Sequence, residues 1–218
     1  MLAQTEFSMC SRTVAAFTLI ELLLVVMIIG LLAAIALPAY IEAQARAKVG
    51  RVQADLRSVA LSLEQYHMDQ EAYPSMIVPG FDGGPSVIAG SELMWWYVPN
   101  SLSTPLSYLS NAALHCPFGG NWDKAPYFPG EIWRRYGYEN IAELIHKAET
   151  WPVFRNRYPP EAIHWSGSWR LQSVGPDRMW NPSLAYDPSN GTVSSGDMIR
   201  TQKSPIGNTQ PDLLNHQQ

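Results

Sequence analysis

Cysteine, charge and catalytic pattern are the scarce features of this 218-residue sequence. Its two cysteines, Cys10 and Cys116, allow at most one intrachain disulfide, and none once a cut removes Cys10. Cys116 then reads as a small buried apolar side chain, with an intermolecular bridge as the alternative. Charged residues make up 16% of the chain, the formal net charge is −4 and no basic run occurs, so an electrostatic footprint for nucleic acid is missing. The five histidines lack metal-ligand spacing. No Ser-His-Asp, zinc or phosphate-loop pattern is present, which leaves no motif for an enzyme. Residues 1–16 lack the apolar core of a secretory signal peptide.

Hydrophobicity begins abruptly at Phe17 and runs to Ile41, interrupted only by Thr18 and Glu21 near its start. At about 1.5 Å per residue, a helix of this length crosses the roughly 30 Å hydrocarbon core of a bilayer. Glu21 is the anomaly, because a carboxylate inside lipid costs about 2.5–3.5 kcal/mol on insertion scales. It is either a functional residue or an ordinary anchor residue kept wet by the headgroups.

The stretch Phe17-Thr18-Leu19-Ile20-Glu21-Leu22 resembles the start of the mature chain in the type IV pilin and type II secretion pseudopilin superfamily. Gly30 and Pro38 fall where helices of that family often carry Gly and Pro. The resemblance implies cleavage between Ala16 and Phe17 by a prepilin peptidase, with N-methylation of Phe17. It implies a role for Glu21 in filament assembly through the N-terminal ammonium of a neighbouring subunit. Ala16 stands where the family usually has Gly, and Met9 is an alternative start that leaves Arg12 and no acid in the leader. The implied orientation puts the leader in the cytoplasm. Arg46, Lys48 and Arg51 beyond the apolar run favour the opposite orientation on charge alone.

Beyond Ile41 the chain turns polar without a turn signal. Val49, Val52, Leu56, Val59, Leu63 and Tyr66 then recur at helical spacing, forming one narrow apolar stripe. Gly50 marks a candidate bend. The helix is expected to end near Gln70, before Tyr73-Pro74. A two-chain coiled coil is the alternative use of the stripe to packing on the protein's own head. The run Leu63-Glu64-Gln65-Tyr66-His67-Met68-Asp69-Gln70-Glu71-Ala72-Tyr73-Pro74 is similar to the helix end of major pseudopilins.

Residues 75–135 are rich in Pro, Gly, Trp and Tyr, with turn signals at Pro79-Gly80 and Gly83-Gly84-Pro85. Met94-Trp95-Trp96-Tyr97-Val98 reads as a short strand or a buried loop. The aromatic group Trp95, Trp96, Trp122, Tyr127, Phe128, Trp133, Tyr136 and Tyr138 reads first as a loop-rich core filled by large rings. A carbohydrate-binding face and a subunit interface are the functional alternatives. Asn140-Ile141-Ala142-Glu143 has the form of a capping box opening a short helix whose buried face is Ile141, Leu144, Ile145 and Ala148. Residues 162–165 and 168–174 are expected to be strands paired around Gly167.

Ser173-Val174-Gly175-Pro176-Asp177, followed later by Gly196-Asp197, resembles the edges of a calcium-binding loop in the major pseudopilin. That resemblance makes Asp177 and Asp197 candidate calcium ligands, with Asp187 as an extra carboxylate between them. Gly196 replaces one expected Asp, and Arg178 stands where Gly is usual. A metal-free loop held by turns such as Asp187-Pro188 and Asn190-Gly191 is the alternative.

The expected fold is α+β: a long N-terminal helix, half transmembrane and half amphipathic, packed on a small antiparallel sheet with a large loop-rich insertion. The expected divisions are a leader at 1–16, a transmembrane half-helix at 17–41, an amphipathic half-helix at 42–72, a head at 73–200 and a polar tail at 201–218. The resemblance implies a structural, non-enzymatic filament subunit with no required cofactor, although calcium is possible. Its implied partners are further copies of itself, the prepilin peptidase, the membrane, and an inner-membrane assembly platform with its ATPase. Its implied location is the inner membrane with the head periplasmic, and then a filament. A membrane-anchored periplasmic domain that binds polysaccharide is the alternative.

Overall fold

The computed structural model describes residues 17–79, 92–94, 97–119, 135–147, 159–179, 184, 186–190 and 194–204. The chain divides into two compact units, Met1–Glu42 and Ala43–Gln218. Helix α1 (Leu19–Gln70) begins in the first and ends in the second, running unbroken through Pro38 and the candidate bend at Gly50. In the first unit every described residue from Phe17 to Glu42 is exposed. This segment is long and apolar enough to cross a membrane.

From Val49 onward α1 becomes one-sided, as its spacing predicts. Val49, Val52, Leu56, Val59, Ala60 and Leu63 are buried and Tyr66 packs at their margin. The stripe therefore serves the protein's own core. The helix ends at Gln70, and Glu71 takes the left-handed conformation (φ 57°). Its N–H still donates to the His67 carbonyl at 2.9 Å. The His67 ring stacks on Tyr73 with centroids 4.3 Å apart, a structural use in keeping with its spacing.

Two antiparallel sheets follow among the described residues. Strands β1 (Ile77–Pro79) and β2 (Glu92–Met94) form a two-stranded ribbon. Strands β3 (Gly137–Asn140), β4 (Trp169–Ser173) and β5 (Met198–Thr201) form a three-stranded sheet with β4 in the centre. Tyr138 stands opposite Leu171, which stands opposite Arg200. Strand alternation puts Asn140, Trp169, Ser173 and Met198 on that same face. This face meets α1: the Trp169 indole reaches Glu64 of the helix at 2.9 Å. The other face is polar yet covered. Glu139 and Arg170 form an ion pair at 3.5 Å there, both almost fully buried. Helix and sheet together make the α+β architecture expected of the sequence.

Several local expectations need correction. Residues 162–165 are not a strand; they lie in a short helix, α3 (Ala162–Ser166). Pro159-Pro160 supplies a pre-formed start to this turn, and Gly167 at φ 81° supplies the left-handed exit. Strand β4 consequently pairs with β3 and β5. The capping box at helix α2 (Ile141–Lys147) is half formed. Asn140 Oδ1 accepts from the Glu143 N–H at 3.1 Å, but the Glu143 carboxylate turns outward to Ser75 Oγ (2.5 Å) and Met76 N (2.7 Å). The Asn140 N–H faces Met76 Sδ instead. Finally, Thr201 is buried in β5, and Gln202 and Lys203 donate to Trp169 and Ser166 carbonyls, so packed structure continues past the boundary expected at 200.

Most of the aromatic insertion, including Trp95, Trp96, Trp122, Tyr127, Phe128 and Trp133, lies outside the described residues, as do Ala16 and Ala148. The described members, Tyr136 and Tyr138, are fully buried. Their hydroxyls donate to Asp55 Oδ2 at 2.7 Å and the Pro74 carbonyl at 2.8 Å. These two rings therefore belong to the core and present no face to a carbohydrate.

Candidate functional site: the capped end of the apolar helix

Thr18-Leu19-Ile20-Glu21 is itself a capping box. Thr18 precedes the first helical residue, and Glu21 sits three positions later, where its carboxylate can reach back. The Thr18 N–H donates to Glu21 Oε2 at 2.9 Å, and the Thr18 hydroxyl donates to the same oxygen at 2.7 Å. Thr18 Oγ1 in turn accepts from the Glu21 N–H at 3.3 Å. The carboxylate thus sits at the positive end of the helix dipole and satisfies groups the helix start would otherwise orphan. Thr18 was missed in reading the sequence for function, although the Ser/Thr-x-x-Glu spacing was legible. Phe17, immediately before the box, is 70% exposed. An ammonium created there by cleavage would stand four residues before Glu21 and one before Thr18, whose N–H holds the carboxylate.

In the second unit, Glu64 joins the helix to the sheet. Its Oε1 accepts from Trp169 Nε1 at 2.9 Å and from Gln202 Nε2 at 3.3 Å. Its Oε2 accepts from the Tyr73 hydroxyl at 2.9 Å. Partial burial, then the neighbouring Glu64 carboxylate, push the Tyr73 phenol up to about 12. Cys116 is buried with its Sγ 2.8 Å from Ser173 Oγ, and burial pushes its thiol up.

The three candidate calcium ligands stand in different settings. Asp177 Oδ1 accepts from the Met179 N–H at 3.1 Å, closing a turn that leaves Arg178 at φ 59°. Asp187 Oδ1 accepts from the Ser189 N–H at 2.8 Å and from its hydroxyl at 2.7 Å. Asp197 is fully buried, and its Oδ2 accepts from Gln172 Nε2 at 2.6 Å. The two ends of the loop do meet: a Cβ at Gly175 would collide with the Gly196 carbonyl oxygen, and Asp177 Oδ1 lies 3.5 Å from the same point. Among the described residues, however, no three His, Cys, Asp or Glu side chains gather as a metal-ligating group. The donor set fits calcium, which takes six to eight oxygens, only in part.

Comparison with known proteins gives partial matches. The type II secretion system core protein G of Pseudomonas aeruginosa is 41% identical over 64 residues, 29% of this chain and 45% of that protein. The type IV major pilin protein PilA of Myxococcus xanthus is 42% identical over 57 residues, 26% of each chain. A fimbrial protein of Neisseria meningitidis is 33% identical over 95 residues, 44% of this chain and 56% of that protein. Over these stretches the chain is similar to members of the pilin and pseudopilin superfamily. The match spans about half or less of their lengths, and no family model or solved structure matches this chain. An exposed apolar helix joined to an α+β head is the architecture this pilin-like chain has in hand.

Proposed function

We propose that this pilin-like chain is a structural filament subunit, cut between Ala16 and Phe17 by a prepilin peptidase and N-methylated on Phe17. The observation that carries the reading is the apolar face of α1. From Leu19 to Ile41 its large side chains are exposed, while the same helix is packed into a head from Val49 onward. Such a surface is stable only in lipid or against other apolar helices. A membrane holds it before assembly, and copies of itself hold it in a filament core. The leader is cytoplasmic and the head periplasmic in this reading. A separate ATPase and an inner-membrane platform supply the work of assembly, and the chain itself has no catalytic role. The filament is a secretion pseudopilus or a type IV pilus-like fibre, because the similar proteins include both kinds.

Glu21 carries the assembly role. Its capping box keeps the carboxylate hydrogen-bonded while the subunit waits in the membrane. On assembly it pairs with the N-terminal ammonium of the neighbouring Phe17 and sets the axial stagger. In this reading the subunit requires no cofactor, and protein hydrogen bonds hold the C-terminal part of the candidate calcium loop. The Tyr186 N–H donates to the Asp197 carbonyl, and the Asp197 N–H donates to the Leu184 carbonyl, both at 2.8 Å. The test is filament yield after shearing, with membrane content measured in parallel, for the wild-type chain and Glu21→Ala. Normal insertion with lost filaments is expected; normal filaments from Glu21→Ala overturn the pairing role.

A further inference from the structure

The amphipathic half of α1 carries a second apolar row, on the side away from its own core. Val52, Leu56, Val59 and Leu63 mark the buried side of the helix. Ala47, Gly50, Ala54, Leu61 and Met68 lie within about 40° of the opposite direction. All five are exposed, Leu61 at 66% and Met68 at 76%. The polar members of the row, Ser58 and Gln65, are uncharged, and the Ser58 hydroxyl donates to the Ala54 carbonyl at 3.1 Å. The nearest charges, Arg51, Arg57 and Asp69, stand about 60° round the helix on its two flanks. A helix packed on one side normally turns its charges straight outward, so a row without charge and with two large apolar side chains is suited to being covered. Apart from the helix's own backbone, nothing lies within 4 Å of a Cβ placed on Gly50, so a partner can approach closely there.

We propose that this row is the docking face for the apolar half-helix, Leu19–Ile41, of a second copy of the chain. The docking rests on the filament-subunit reading above and adds to it a seat and a register. Length selects the occupant: at 1.5 Å per residue the row from Ala47 to Met68 is about 32 Å long, and the segment Leu19–Ile41 about 33 Å. Chemistry agrees, because that segment is exposed and apolar on every side, and the row offers no counter-charge to a charged partner. Copies inserted into one membrane by one route run parallel. Aligning the two lengths then sets Leu19 beside Ala47, Leu22 beside Gly50 and Val26 beside Ala54, so bulky side chains meet the small end of the row. Further along, Ala33 comes beside Leu61 and Tyr40 beside Met68, and these five residues of the second copy share one face of its helix to within about 60°. Small residues let two helices approach, and large side chains set against small ones fill the seam without voids.

Two measurements on the full chain test the docking. In the first, a double variant, Leu61→Lys with Met68→Lys, is compared with wild type for melting in micelles and for sheared filament yield. Both side chains are exposed in the single chain, so the melting temperature should stay within about 2 °C. Filament yield should fall about tenfold or more, because docking would now bury two ammonium groups against apolar side chains. In the second, Leu61→Cys and Ala33→Cys are placed in separate copies, expressed together, and the sheared filaments are mildly oxidised. Disulfide dimers should form when both variants are present and not with either alone, and moving the partner cysteine from Ala33 to Val26, about two helical turns away, should abolish them. The native Cys116 is buried and does not compete. Lost yield together with dimers at Ala33 supports the docking. Undiminished filaments from the double variant overturn it and leave the subunit reading intact. Lost yield without dimers at Ala33 also overturns it, by giving the row to another surface of the neighbour or to the assembly machinery. A wild-type chain that forms no filament overturns the subunit reading and the docking together.

Discussion

Removing the Glu64 carboxylate tests how α1 is held to the head. In Glu64→Ala, the indole of Trp169, only 2% exposed, loses its acceptor, and the Tyr73 hydroxyl loses its own. Hydrogen bonds to a charged acceptor contribute about 1.5–3 kcal/mol each, and an enclosed donor left unmade costs about 1–3 kcal/mol. The two losses share one carboxylate and are not additive, so a total of about 3 kcal/mol is expected. At about 2–4 °C per kcal/mol for a chain of this size, the melting temperature falls by about 6–12 °C. Glu64→Gln retains one oxygen for Trp169 and should lose about 1 kcal/mol. Circular dichroism of the full chain in micelles, recorded against temperature, reads both variants. An Ala variant melting within about 2 °C of wild type, or a Gln variant as weak as Ala, refutes the role given to this joint.

Other outcomes follow from the same geometry. Arg178 occupies the left-handed region at φ 59°, which costs a non-glycine residue about 1–2 kcal/mol, so Arg178→Gly should raise the melting temperature; a fall would contradict the turn. Tyr73 keeps its proton up to about 12, and burial raises Tyr136 and Tyr138 as well. The folded state therefore favours the neutral phenol: its contribution is intact below about pH 10 and is lost as pH rises through about 12. Melting temperature should drop across that window together with a late rise in tyrosinate absorbance; early, exposed-like ionisation of all tyrosines would count against these placements. Melting curves with millimolar-range calcium and with chelator should coincide, and a calcium-dependent rise abolished in Asp177→Ala would support the metal reading of the loop.

The helical part of the fold was legible because its signals are periodic and local. Val49 to Leu63 repeat at the helical interval and are buried as a stripe, and Tyr73-Pro74 forces an end close to Gln70. The strand at 169–173 was also legible. Ala162-Ile163-His164-Trp165 misled because a short apolar run carries no period, and the Pro159-Pro160 start decided it. The Glu143 carboxylate was assigned to its own helix, but Ser75 and Met76 compete for it across a long sequence separation. At the candidate site, reading Glu21 as a charge in lipid hid Thr18, its immediate partner.

The most direct measurement of the central claim is the mass of the chain recovered from the membranes of a cell that carries a prepilin peptidase. Intact mass and the N-terminal peptide together read both processing steps. The filament-subunit account requires a chain that starts at Phe17 and carries one methyl group on its α-amino nitrogen. A chain that still retains Ala16, whether it begins at Met1 or at Met9, would contradict it.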